Sequence, residues 1–152
     1  MQIIECVPNF SEGRDLSLIK QITDSMESVG GITVLDVDPG ADTNRTVVTI
    51  VGDPESVIQS AFIGIKKALE LIDMRKHRGA HSRMGATDVC PLIPISDVSM
   101  NDCVKYSNIG KEEFNIDVYL EMRYDGQGFD ITLPYDNKDT LDTIKNKIEY
   151  FL

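Results

Sequence analysis

The sequence predicts an α+β fold in which helices cover one face of a sheet. Three observations carry that reading. Short β-branched runs alternate with segments whose apolar residues recur at helical spacing. One pair of strands is joined by a turn-rich link too short to hold a helix. The chain has 152 residues, of which 41% are hydrophobic. That length suits one compact domain with a sizeable core.

The first element is a strand in "MQIIECV", stopped by Pro8. After the loop "PNFSEGRD", Leu18, Ile19, Ile22, Met26 and Val29 recur at helical spacing, and Gly30-Gly31 supplies a C-terminal stop. "ITVLDV" reads as a strand, the turn-rich "DPGADTN" follows, and "RTVVTIVG" is the next strand. Asp53 caps a second helix with Pro54 at its first position, where a missing N–H costs nothing. Val57, Ile58, Ala61, Phe62, Ile65, Ala68, Leu69 and Ile72 lay one apolar stripe along it. "DVCPLIPI" is a strand whose Pro91 and Pro94 place it near an edge or an end of the sheet.

The order is thus β-α-β-β-α-β over roughly the first 95 residues, the signature of a ferredoxin-like sandwich. A doubly wound parallel sheet is disfavoured, because "VLDVDPGADTNRTVV" joins two strands with no helix between them. A helix capped by Ser99 through Cys103 and Tyr106 and a strand in "NIDVYLEM" are appended. The final stretch, "YDGQGFDITLPYDNKDT" followed by Leu141, Ile144, Ile148 and Phe151, predicts a short strand or hairpin and then a C-terminal helix.

Charge narrows the function. A net charge of −10 opposes nonspecific binding to nucleic acid or to an anionic membrane. No apolar run is long enough for a transmembrane helix, and "MQIIECVPNF" lacks the pattern of a signal peptide, so a cytoplasmic protein is expected. Three widely spaced cysteines, Cys6, Cys90 and Cys103, suit reduced thiols. Against the acidic background, Arg75, Lys76, Arg78 and Arg83 form a local basic patch around the only histidines, His77 and His81.

Histidines four residues apart can share a helix face as zinc ligands. Here Gly79 intervenes, cations crowd the pair and no glutamate follows His77, so no metal is expected. Proton transfer fits better, since an imidazole exchanges a proton near neutral pH. Neighbouring arginines favour its neutral form and can grip a carboxylate-bearing substrate through two hydrogen bonds. The competing reading is that each histidine is a loop residue satisfied by a backbone carbonyl. Two further loops are rich in polar groups. "VPNFSEGR" holds Asn9, Ser11, Glu12 and Arg14, and "LDVDPGADTNRT" holds Asp36, Asp38, Asp42, Asn44 and Arg45. Such residues also favour turns for backbone reasons, and composition leaves open whether these loops meet His81.

The segments "ECVPNFSEGR", "LDVDPGADTNRTVVTIVGDPE", "LIDMRKHRGAHSRMGATDVCPLIP" and "DCVKYSNIGKEEFNIDVYL" together resemble the N-terminal subdomain of glutamate formiminotransferase, over residues 2–120. The resemblance implies ferredoxin-like subdomains in tandem and transfer of a formimino group from N-formimino-glutamate to tetrahydrofolate, the co-substrate, in histidine degradation. It implies His81 as catalytic acid/base with Asp38 near it. Arg14, Arg45 and Arg83 are then expected to hold substrate carboxylates, with Asn9, Glu12 and Asn44 as further substrate-binding candidates. The family's second subdomain, with folate held between the two, lies outside these residues, so a homodimer or a separate C-terminal subdomain is expected to complete the cleft. The helix after Cys103 is about one turn shorter than the family's. From residue 121 the chain departs and resembles a hydantoinase/oxoprolinase segment, which brings no catalytic group. Residues 1–120 are therefore expected to form the subdomain and 121–152 a divergent extension. Two other readings remain at this stage: a non-catalytic interaction module of the same fold, and a related folate enzyme of the formyltetrahydrofolate cyclo-ligase type.

Overall fold

The computed structural model describes residues 1–81 and 85–109 with their side chains, and the backbone of 110–114, 119–122 and 129–132. Its elements are β1 (Ile3–Cys6), β2 (Asn9–Phe10), α1 (Leu16–Glu27), β3 (Ile32–Gly40), β4 (Arg45–Gly52), α2 (Pro54–Leu71), β5 (Thr87–Val89), β6 (Leu92–Ser96), α3 (Met100–Phe114), β7 (Tyr119–Met122) and β8 (Phe129–Thr132). β1 lies between β4 and β6 and is antiparallel to both, while β3 pairs with the far edge of β4. The resulting order β3-β4-β1-β6 is the interleaved sheet that a β-α-β-β-α-β chain makes, and the fold is α+β as the sequence predicts.

Prolines bear on two expected strands: the first, expected to stop at Pro8, resumes beyond it within the expected loop, and the strand after the histidines is broken once. A proline has no N–H to give to a ladder. At Pro8 the first strand splits into β1 and β2, and at Pro91 the strand after the histidines splits into β5 and β6. The proline carbonyls still accept: Val48 N donates to Pro8 O at 3.0 Å, and Val7 N donates to Pro91 O at 3.2 Å. Each strand therefore kinks and continues. β2 stays on β4 beside β1, and β5 joins β2, so the site end of the sheet runs β5-β2-β4. β6 borders β1 along its length and meets β8 where Leu92 pairs with Phe129. β7 and β8 form an antiparallel hairpin. The first half of "NIDVYLEM" and the predicted C-terminal helix lie outside the described residues.

Both long helices follow from local sequence. Asp15 accepts from Ser17 N and Leu18 N at the start of α1, and Asp53 accepts from Ser56 N ahead of Pro54 in α2. Their apolar stripes bury Ile22, Met26, Val57, Ala61, Ile65 and Ala68 against Ile4, Cys6, Phe10, Val48 and Ile50 of the sheet. Every second residue of β4, from Thr46 through Val48 to Ile50, faces this core and is buried. Arg45, Val47 and Thr49 consequently present to the opposite, open face, which carries no helix among the described residues.

Strand β3 shows what sets that open face. Its pairing with β4 slips by one residue between Val34 and Asp36, a bulge at Leu35. In unbroken register Asp36 would pair with Val48 on the core face. With the bulge, Asp36 pairs with Thr49 and Asp38 with Val47, so both carboxylates stand on the open face and are exposed.

The predicted cap of α3 is reciprocal: Ser99 N donates to Asp102 Oδ2 at 3.0 Å, and Asp102 N donates to Ser99 Oγ at 3.3 Å. Hydrogen bonds from Lys105 and Ser99 hold the Asp102 carboxyl well below its ordinary value of 3.8. A depressed carboxyl stabilises the fold fully above its unfolded value and stops doing so as pH falls through its folded one. Stability measured as a urea midpoint should thus decline once pH drops below about 4, and Asp102→Asn should flatten part of that decline while lowering the midpoint at pH 7.

Candidate active site

The β3–β4 turn is the platform on which the other loops rest. Asn44 occupies its last position with φ of 51°, a left-handed conformation that asparagine tolerates better than most residues. Its buried side chain joins two loops. Oδ1 accepts from Gly13 N at 2.9 Å, and Nδ2 donates to Arg78 O at 3.1 Å. Its carbonyl accepts from His77 Nε2 at 2.8 Å, so that ring nitrogen carries a proton. Ala80 N donates to Asp42 O at 3.0 Å, completing the seat of the histidine loop.

Two glycines make this closeness possible. A Cβ on Gly79 would collide with the carbonyl of Thr43, and one on Gly13 with Gly40 O and Arg45 N. Gly79, which argued against a histidine-bearing helix in the sequence, is what lets the loop lie flat on the turn. The far end of the loop is fixed as well. Ser11 Oγ donates to Gly85 O at 2.6 Å and Ser11 N donates to Ala86 O at 2.8 Å. The loops after β2, β3 and α2 therefore meet, which composition alone left open.

The two histidines separate by role in this seat. His77 is buried and bonded to backbone, whereas His81 is exposed. The His81 ring lies against Arg45, whose Nη1 is 3.1 Å from Nδ1 and 3.3 Å from Nε2. Arginine only donates, so the ring nitrogen taking this bond is an unprotonated one. Arg45 Nη1 also pairs with Asp88 Oδ2 at 3.0 Å, and Arg45 Nε donates to Asn9 Oδ1 at 2.9 Å. Asn9 is oriented in turn, because its Nδ2 donates to Val7 O at 2.8 Å.

The remaining described candidates lie on the elements next to this cluster. Asp38 is exposed on the open face, opposite Val47 and so diagonal to Arg45, which pairs with Gly40. Diagonal neighbours in such sheets stand about 7–8 Å apart. Glu12 is engaged locally: Oε1 accepts from Arg14 N and Asp15 N, and its carbonyl accepts from Thr46 Oγ1. Arg14 is exposed and donates Nε to Ala41 O at 2.8 Å. Arg83 lies outside the described residues. Asp88 was not singled out by the sequence reading. Its one signal was an aspartate inside a β-branched strand, a position that disfavours it. Among the described residues no three His, Cys, Asp or Glu side chains gather to hold a metal.

Beneath the site, Cys6 and Cys90 thiols stand 3.4 Å apart in the core. Their mutual hydrogen bond and burial push the Cys6 thiol well above its ordinary range, so these are packing groups rather than nucleophiles.

Comparison with known proteins places this arrangement. The family model for the formiminotransferase domain, N-terminal subdomain, matches residues 3–128. The chain belongs to that family. It is 50% identical over 123 residues to a formimidoyltransferase-cyclodeaminase of Dictyostelium discoideum, covering 78% of this chain and 23% of that protein. A glutamate formimidoyltransferase of Thermoplasma acidophilum is 47% identical over 124 residues, covering 79% of this chain and 41% of that one. The formimidoyltransferase-cyclodeaminase of Gallus gallus aligns over 152 residues at 41% identity, 97% of this chain and 28% of its own length. The chain thus spans well under half the length of each. The family match also runs past residue 120, where the sequence reading ended it.

Asn44→Ala tests the platform. It leaves Gly13 N–H and the Arg78 carbonyl unpaired and puts alanine at a positive φ. The fold should lose about 1–3 kcal/mol in urea titration, with the histidine loop the first region to gain amide exchange.

Proposed function

We propose that this chain supplies the acid/base wall of a formiminotransferase site, in which a formimino group passes from N-formimino-glutamate to tetrahydrofolate. The observation that supports this most is His81: an exposed imidazole, held by an arginine that can only donate and that stands on the open face of the sheet. The relatives named above as glutamate formimidoyltransferases lend the substrate class.

The reaction needs one group that takes a proton and gives it back. As the folate N5 amine attacks the formimino carbon a C–N bond forms, the C=N π pair moves onto the formimino nitrogen until collapse restores it, and N5 loses a proton, which His81 accepts. The tetrahedral centre then breaks its bond to the glutamate nitrogen, and that nitrogen leaves with the proton His81 returns. One imidazole serves both halves, an acid–base contribution of typically 10²–10⁴-fold. Asp38, exposed across β4 from Asn9, is in this reading the carboxylate that stabilises the protonated imidazole as it forms. Asn9 and Asn44 shape the wall behind the ring. Exposed Arg14, together with Arg83, supplies the cations for substrate carboxylates, because the Nε and Nη1 of Arg45 are engaged within the protein.

One wall does not hold two substrates, and near-attack geometry demands that both be fixed. The opposite wall comes from the region that the longer relatives carry beyond this match, or from a second copy of this chain. We place the protein in the cytoplasm as a one-carbon enzyme of histidine degradation. His81→Ala should cut formimino transfer by the completed enzyme by about 10²–10⁴-fold and leave the thermal midpoint unchanged, since the side chain is exposed. Near-normal transfer would remove His81 from the mechanism and favour a non-catalytic interaction module.

A further inference from the structure

The ion pair behind His81 is built more tightly than substrate binding requires. Asp88 is a strand residue whose side chain is 9% exposed, and its partner Arg45 is 18% exposed. A carboxylate so far from water is costly unless it is paired and hydrogen-bonded. Arg45 reaches it across β2, from the first residue of β4 to β5, and passes Asn9 on the way. One nitrogen, Nη1, lies 3.0 Å from Asp88 and 3.1 Å from His81 Nδ1. It carries two protons, enough for one bond to each.

We propose that Asp88 is a positioning residue for His81 that acts through Arg45, orienting the guanidinium against the imidazole and balancing its charge. This rests on the acid/base reading of His81. Without Asp88, a full positive charge would face the ring at hydrogen-bond distance and oppose the proton the ring must take up. Without Arg45, the ring would lose that fixed donor. With both, the imidazole meets an oriented, nearly neutral group and can gain or lose a proton.

The neighbouring elements carry other charges. Asp42 stands on the β3–β4 turn, Asp38 on β3, Glu12 and Arg14 on the loop after β2, and Arg78 in the histidine loop itself, with Arg83 beyond the described residues. The first five are on elements that meet at the turn, and Glu12, Arg14 and Arg78 have hydrogen-bond partners of their own. Arg45 links the ring to a buried opposite charge.

The test uses the full chain, labelled with ¹⁵N, and follows the ring signals of both histidines across neutral pH. Asp88→Asn should lower the pH midpoint of His81 by about one unit. Arg45→Gln should raise it, whether or not Asp88 then takes up a proton. His77, bonded to Asn44 O, should keep its signals in both variants and report that the fold is intact. An unchanged or raised midpoint in Asp88→Asn overturns the proposal, because loose packing alone predicts no such opposed pair of shifts. If Asp88→Asn does not fold, a lowered or unchanged midpoint in Arg45→Gln overturns it instead. Transfer by His81→Ala judges the acid/base reading separately, so one can fail while the other stands.

Discussion

A guanidinium at the start of β4 organises the open end of this sheet. Arg45 is planar and always charged, and its fork can serve two directions at once. Nε is given to Asn9 on the neighbouring strand and Nη1 to Asp88 one strand further. A lysine would offer a single point charge and could not hold both. The pair ties together three short strands, two of which exist only because prolines broke longer ones. Once Arg45 is fixed, the turn that precedes it is fixed too, and Asn44 in that turn clamps the loops after β2 and α2. His81 inherits its place from this chain of contacts rather than from secondary structure of its own.

Much of the fold was legible because it is local. Helices α1 and α2 announce themselves through apolar spacing and through Asp15, Asp53 and Pro54 at their starts. The link between β3 and β4 is too short for a helix, and that one fact separates this sheet order from a doubly wound one. Other features were written in the sequence but needed a partner strand to interpret. Apolar residues occupy Ile32 and Val34, then switch parity to Leu35 and Val37, which is the bulge that turns Asp36 and Asp38 outward. Pro8 and Pro91 were read as a stop and an edge signal, whereas each marks a kink in a strand that continues.

The site divides the same way. The histidine loop was visible as chemistry, and Gly79 with its neighbours argued against a metal-binding helix. That His77 bonds backbone while His81 stays exposed depends on where the β3–β4 turn lies, a contact across more than thirty residues. Asp88 was invisible because a buried carboxylate declares itself only through its partner. The histidine loop lies within the segment that the formiminotransferase family model matches. The family match runs through residue 128, and the avian relative aligns over 152 residues.

In the proposed function this chain contributes one preorganised wall, with His81 held by an arginine that is itself held. The most direct measurement is steady-state transfer by Arg45→Lys in the completed enzyme, with kcat and KM read separately. If the guanidinium positions His81, kcat should fall by about tenfold or more while KM for the formimino donor stays near the wild-type value. A raised KM with undiminished kcat would make Arg45 a substrate clamp and contradict the account.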